Sequence, residues 1–249
     1  MLRLRFLLAS STRVGALVLL SATAAAEAPL SWSGFYVGAH AGYAAAKSDF
    51  DVNPTGAWDA FPDQAAAVRA ATAGSLNLDG GAFGVQAGFN QQLGLWVVGL
   101  EADISGTDLS ESRAGGPIPP TGVTSFSQQA DLSWMATLRA RVGVTAGPAL
   151  FFATGGAAFG EWDIYMRMAG GPDAAVFSNS SVQTGWVAGG GVEYAFTECL
   201  SLKGEYLYAD FGSVNGQSAF FPTAPAFVNQ HSVDLTAQVA RAGINYRFP

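Results

Sequence analysis

The chain has 249 residues, 49% of them hydrophobic, 12% aromatic and only 12% charged, with a net charge of −7. Soluble globular domains carry about 25% charged residues, so much of this surface is not built to meet water, while 17 Phe, 7 Tyr and 6 Trp exclude a disordered chain. The single cysteine, Cys199, excludes an intramolecular disulfide framework and Cys-cluster metal sites, and the acidic balance excludes a basic stripe for nucleic acid.

At the N-terminus Arg3, Arg5 and Arg13 precede an apolar run over 14–20, and Ala24, Ala25 and Ala26 follow it. This reads as a secretory signal cleaved between Ala26 and Glu27, since the run is shorter than the ~20 apolar residues of a spanning helix. The mature chain, 27–249, is expected to be one domain with 19 acidic and nine basic residues. A long uncharged stretch, 142–160, contains Pro148 and five glycines, which makes a poor helix. The remaining way to cross a bilayer is a closed β-barrel, in which every backbone polar group is paired within the protein.

Period-two alternation, the signature of a strand with two unlike faces, recurs eight times. The segments are 35–43, 82–90, 96–105, 133–145, 150–160, 184–196, 200–208 and 240–248. In 82–90, Phe83, Val85, Ala87 and Phe89 share one face and Gly84, Gln86, Gly88 and Asn90 the other. In 96–105, Trp96, Val98, Leu100, Ala102 and Ile104 oppose Gly99, Glu101, Asp103 and Ser105. Segment 150–160 is apolar on both faces, and Phe151, Ala153, Ala157 and Phe159 are assigned outward. Tight turns at 91–94, 146–148 and 197–199 alternate with long loops at 45–74, 107–130, 165–181 and 212–231, the first of which has a short alanine-rich helical stretch over 64–73. Even strand number, short turns at one end and long loops at the other predict an all-β fold: an eight-stranded antiparallel up-and-down transmembrane β-barrel.

A soluble eight-stranded barrel would show the same alternation with its apolar face inward, but its polar face would carry long charged side chains throughout. Here that face is dominated by glycine, which suits a crowded interior. The charges sharing it are Glu101, Asp103, Arg139, Arg141, Glu193, Lys203, Glu205, Arg241 and Arg247, four acids and five bases. A lumen sealed from water holds charge in near-matched numbers, because an unpaired buried ion is costly. The opposite face has aromatic residues near both ends, as girdles facing lipid do. Phe35, Phe89, Trp96, Tyr194, Phe196, Tyr246 and Phe248 lie toward the turns; Tyr43, Phe83, Trp134, Phe159, Trp186 and Tyr208 lie toward the loops.

Several segments resemble the small porin-like outer-membrane β-barrels of alphaproteobacteria, of the eight-stranded superfamily. They are Trp32-Ser33-Gly34-Phe35-Tyr36-Val37-Gly38, Arg139-Ala140-Arg141-Val142-Gly143, Ala153-Thr154-Gly155-Gly156, Gly189-Gly190-Gly191-Val192-Glu193-Tyr194 and Glu205-Tyr206-Leu207-Tyr208-Ala209-Asp210-Phe211-Gly212. The ending Ile244-Asn245-Tyr246-Arg247-Phe248 resembles the terminal signal read by the barrel-assembly machinery, with Pro249 as a departure. The resemblance implies a Gram-negative outer-membrane location and an abundant envelope protein with immunologically visible loops, without catalysis.

Motifs for nucleotide binding, zinc proteolysis and serine hydrolysis are missing from the sequence. His40 shares the lumen parity and reads as a hydrogen-bonded lumen histidine; His231 is expected where the fourth loop enters the last strand. Glu101 and Asp103 could serve as general acid and base, but with Arg139 and Arg141 on the adjacent strand they read as part of an ion network. No cofactor or metal site and no nucleic-acid partner is expected. The expected partners are outer-membrane lipid, the assembly machinery and an envelope or host-surface ligand of the loops. Three functional readings follow: a plugged structural and surface-interaction barrel, a narrow passive channel through a glycine-rich lumen, and an enzyme using His40.

Overall fold

The computed structural model describes residues 30–170 and 173–248. The segment read as a cleaved signal lies outside these residues. Eight strands, β1 (Gly34–Gly56), β2 (Gly74–Leu93), β3 (Trp96–Gly115), β4 (Ser125–Ala146), β5 (Ala149–Gly170), β6 (Asp173–Ala195), β7 (Leu200–Phe221) and β8 (Ala224–Arg247), pair antiparallel with their sequence neighbours, and β8 closes on β1. Tight turns join them at one end, where Gly94 and Gly147 take positive φ of 65° and 60° that other residues resist. At the other end a 3-10 turn, Ala57–Ala60, and a helix, α1 (Pro62–Thr72), connect β1 to β2. The helix overlaps the expected alanine-rich stretch.

The strands are 20 to 24 residues long, twice the expected length. At ~3.3 Å per residue and a tilt of ~35 to 45°, the barrel stands ~50 Å tall, against an apolar band of ~25 Å. The segments expected as four long loops are therefore mostly strand: 107–115, 165–170 and 212–221 extend β3, β5 and β7, and 45–56 extends β1. His231 correspondingly lies inside β8 rather than at its entrance, paired with Val52 of β1 and Gly216 of β7.

Alternation continues into the upper half, unbroken in β1 and β8, but its polarity reverses. Along β1 the inward residues change from Tyr36, Gly38 and His40 to Ala44, Ala46, Phe50 and Val52, while the outward ones change from Phe35, Val37 and Tyr43 to Lys47, Asp49 and Asp51. Along β8, Asn245 and Arg241 give way inside to Val239, Leu235 and Val233, and outside Ile244 and Ala242 give way to Gln238 and Asp234. The lower half, at the turn end, is apolar outside and polar inside. The upper half is the reverse, with a core that includes Leu78, Leu132, Trp162, Ile164, Phe211 and Leu235.

The upper half is also no longer one closed sheet. The β2–β3 ladder runs only from Ala82↔Thr107 down to Leu93↔Trp96, and the β6–β7 ladder only from Trp186↔Asp210 down to Ala195↔Ser201. The other ladders continue upward, to Gly56↔Phe227 between β1 and β8 and to Gly170↔Asp173 between β5 and β6. The upper half thus consists of two four-stranded sheets, β3-β4-β5-β6 and β7-β8-β1-β2, joined through their core. Trp162 of one sheet meets Phe211 of the other edge to face at 5.7 Å. Bulges between Gly106 and Leu109, Leu132 and Trp134, and Asp210 and Ser213 lie at the transition, where strands must bend from barrel to sheet.

The seam between β2 and β3 is latched. Arg113 of β3 donates from Nη2 to the carbonyls of Thr72 (2.6 Å) and Ala73 (3.0 Å) at the C-terminus of α1, and Gln128 Nε2 donates to Thr72 O at 2.8 Å. A cation there also opposes the negative end of the helix dipole. Val68 of α1 and Trp58 bury against Val52, Phe126, Met166 and Phe220, so the helix caps the upper core.

Candidate functional site: the lumen of the lower half

Glu101 and Arg139 are direct cross-strand partners on β3 and β4, and their side chains point inward with those of Lys203 and Glu205 on β7 and Arg241 on β8. Arg139 Nη2 lies 2.5 Å from Glu101 and 2.7 Å from Asp103, and its Nη1 lies 3.0 Å from Glu205. Lys203 Nζ bridges Glu101 and Glu205 at 2.9 Å each. Arg241 joins Asp103 (2.9 Å) to Glu205 (2.8 Å). Arg141 binds Glu193 at 2.9 Å and stands 3.8 Å from Glu101. Every member is buried. Four carboxylates face four cations, and charge-assisted hydrogen bonds tie β3, β4, β6, β7 and β8 across the barrel axis.

Arg247, expected among them, makes no ion pair with an acid among the described residues. It sits at the turn end, where its guanidinium covers the Trp32 ring at 4.6 Å and donates to the Ser31 carbonyl. Its side chain is buried at the turn end, two residues beyond Asn245, which takes the bond to Glu193. With Trp32, Val97, Leu150 and Ala195 it forms a plug under the lumen. Trp32 precedes the first strand, so strand periodicity could not assign it this position.

Uncharged residues complete the site. Tyr36 donates its hydroxyl to Glu101 (2.6 Å) and accepts from Arg141 (3.2 Å); Ser201 and Asn245 donate to Glu193 at 2.6 and 2.7 Å; Thr137 donates to Asp103 at 2.5 Å. All share the lumen parity, the one signal by which they could have been found. His40 is bonded at both ring nitrogens: Nε2 lies 3.0 Å from Arg241 and 2.8 Å from Ser105 Oγ, and Nδ1 lies 3.1 Å from Gln86 Oε1. Because the guanidinium only donates, Nε2 is the acceptor and Nδ1 carries the proton, which fixes a neutral tautomer.

The lumen glycines are not vacancies. A methyl at Gly42 would overlap the Ala240 carbonyl and Arg241, and one at Gly88 would overlap the Tyr36 ring. Gly88 is small because the Tyr36 ring lies across it, and Gly42 because the backbone of β8 approaches it closely.

The aromatic residues of both expected belts face outward. Phe35 packs on Phe89 at 4.8 Å and Tyr246 on Phe248 at 5.4 Å toward the turns, where Trp96, Tyr194 and Phe196 are also exposed. Toward the upper half, Trp186 packs on Tyr208 at 5.5 Å, while Phe83 is exposed and Phe159 half-buried. Tyr43 Oη donates to Asp79 at 2.8 Å and Trp134 Nε1 to Glu161 at 2.9 Å. Each joins an apolar body to a polar tip at the level where the outer surface turns polar.

The outer membrane protein beta-barrel domain family matches residues 14–248. The 31 kDa outer-membrane immunogenic protein of Brucella melitensis biotype 1 is 35% identical over 91% of this chain and 88% of its own. The 25 kDa outer-membrane immunogenic protein of Brucella abortus biovar 1 is 26% identical over 88% of this chain and 80% of its own, and the 22 kDa outer membrane protein of Rhizobium leguminosarum bv. viciae 29% identical over 65% and 68%. Among solved structures, Neisserial surface protein A aligns with a TM-score of 0.40 at 15% identity, covering 87% of this chain and 98% of its own. A closed ring of eight antiparallel strands with its lower half apolar outside, together with the family match and the Brucella and Rhizobium relatives, shows that the chain belongs to the alphaproteobacterial family of outer-membrane β-barrel proteins and resides in the outer membrane of a Gram-negative bacterium.

Proposed function

We propose that the protein is a sealed, non-enzymatic barrel that anchors its upper half at the cell surface, where that half makes the contacts that matter. The lower half is embedded in lipid through the two aromatic belts, and the ending Ile244–Phe248 is what the assembly machinery reads. The observation that carries this reading is the lumen itself: a charge-balanced network closed below by Trp32 and Arg247 and above by an apolar core. Eight strands enclose a space that side chains can fill, and these fill it. Gly88, one of the glycines that suggested a channel, is covered by the Tyr36 ring, which argues against a thread of water there. Burial of His40 among Gln86, Ser105 and Arg241 argues against a catalytic histidine. The relatives' names as immunogenic proteins support exposure at the surface. Purified protein in planar bilayers tests the reading: the membrane is expected to remain silent, and reproducible ohmic steps would replace the plug with a channel.

A further inference from the structure

The β2–β3 seam is bridged by Arg113 and α1; the β6–β7 seam is tied at its top, where Thr223 of the β7–β8 turn donates to Asp173 of β6, and among the described residues no side-chain hydrogen bond crosses it between there and Asp210. Above Trp186↔Asp210 the ladder stops, while β6 continues up to Asp173 paired only with β5, and β7 continues to Phe221 paired only with β8. Two strand edges therefore face one another with the N–H and C=O groups on their seam sides outside any ladder. Phe177 reaches from β6 beneath Gly216 of β7 and stacks on His231 of β8 at 4.7 Å, which keeps the core closed under the seam. Exposed edges are normally blunted by Lys, Pro or inward charge. Here 174–185 and 211–221 contain no charged residue and no proline.

We propose that this seam takes up an extended strand of another polypeptide, which adds to the β6 edge by main-chain hydrogen bonds. The proposal rests on the surface-contact reading above and names the kind of contact. The character of the strand follows from its flanks. On the outer face, Asp163 and Glu161 of β5 stand opposite Ser180 and Val182 of β6, Asp234 of β8 stands opposite Ser213 of β7, and Asp210 lies at the foot of the seam. The base on these flanks, Arg167, is near the top, opposite Val176. On the inner face, Phe177, Val214 and Phe220 line the upper approach, and below them Asn179, Ser181 and Gln183 of β6 are hydrogen-bonded to one another. The fitting strand is apolar on alternate residues facing in and basic on those facing out. A second copy of this chain is a poorer occupant, because its own edges are uncharged and bring no outward bases to the flanking acids.

The test is hydrogen exchange, followed by mass spectrometry on the full mature chain refolded in a zwitterionic detergent. Two twelve-residue probes are added, one alternating valine and lysine and one alternating valine and glutamate. In free protein, one amide in two is expected to exchange rapidly over 174–185 and 213–220, while the lower half exchanges slowly. The valine–lysine peptide is expected to slow the seam amides, with the valine–glutamate peptide binding about tenfold more weakly or worse. Successive residues on a strand point their N–H groups to opposite sides. Of Asn179→Pro and Ser180→Pro, one therefore removes an N–H from the seam and should fold normally yet lose the protection, while the other breaks the β5 ladder. Seam amides already slow in free protein, no protection by the lysine peptide, or equal protection by both peptides would each overturn the proposal. So would protection that appears without peptide as protein concentration rises, which would make the occupant a second copy. None of these results bears on bilayer silence, so the two readings fail separately.

Discussion

The two halves of this barrel use one backbone and one alternation to solve opposite problems. In the upper half water lies outside, and burying Leu235, Trp162 and Phe211 in a common core is worth about 25 cal/mol per Å² of apolar surface removed from water. In the lower half lipid lies outside, and a leucine gains nothing by turning inward, because hydrocarbon is as apolar as a protein core. Outward side chains such as Leu100, 60% exposed, and Leu138, 57% exposed, therefore remain in the lipid, and the interior is held by ion pairs and backbone ladders. The surrounding medium, rather than the strand, decides which face is greasy.

The comparison is sharpest at Arg139, which touches three of the four lumen carboxylates. Arg139→Ala should cost about 3 to 5 kcal/mol, since removing one partner leaves buried charge uncompensated. Urea unfolding of detergent-refolded protein, read from the migration difference between unheated and boiled samples, measures it. Adding Glu101→Ala should restore part of the loss, though not all, because Asp103 and Glu205 still face an empty position. Strict additivity would mean that Arg139 and Glu101 do not meet.

The outer face gives a second test within one strand. Leu138 and Gln129 both point outward from β4, Leu138 in the lower half and Gln129 in the upper. Leu138→Arg should cost about 2 to 4 kcal/mol, as a charge on the lipid face near the bilayer midplane does. Gln129→Arg, beside Asp131 in water, should stay within about 0.5 kcal/mol of the parent. Equal costs at the two positions would abolish the distinction between the halves.

The lower half was legible from the sequence because two features coincide there, alternation and a glycine-rich polar face, and together they fix both strand and facing. The upper half carries its own period-two signal. Lys47-Ser48-Asp49-Phe50-Asp51-Val52 alternates as clearly as 35–43, but with the polarity of a soluble strand, so an expectation of lipid outside turned it into a loop. Ser178-Asn179-Ser180-Ser181-Val182-Gln183-Thr184 carries almost no alternation, and this is the part of β6 that pairs on one side only. The lumen charges could be listed by parity. Their partners could not, because height along the barrel depends on cross-strand register; Arg247 was grouped with acids it does not reach.

The smallest expected effect separates the halves by pH. His231 lies in the upper half, with Nε2 2.8 Å from Ser218 Oγ and its ring on Phe177, and burial alone lowers its pKa to about 4. In the unfolded chain the imidazole takes its proton near 6.5. The folded state therefore binds fewer protons between these values, so its contribution is complete above pH ~6.5 and declines as pH falls toward 4. Exchange of the upper-half amides around 228–235 should accelerate between pH 7 and pH 5 beyond the intrinsic pH dependence of exchange, with the lower half unaffected. His231→Phe, which keeps a ring against Phe177 but cannot take a proton, should flatten that response. If the variant and the parent respond alike over this range, the acid sensitivity of the upper half lies in its surface carboxylates and not in its core.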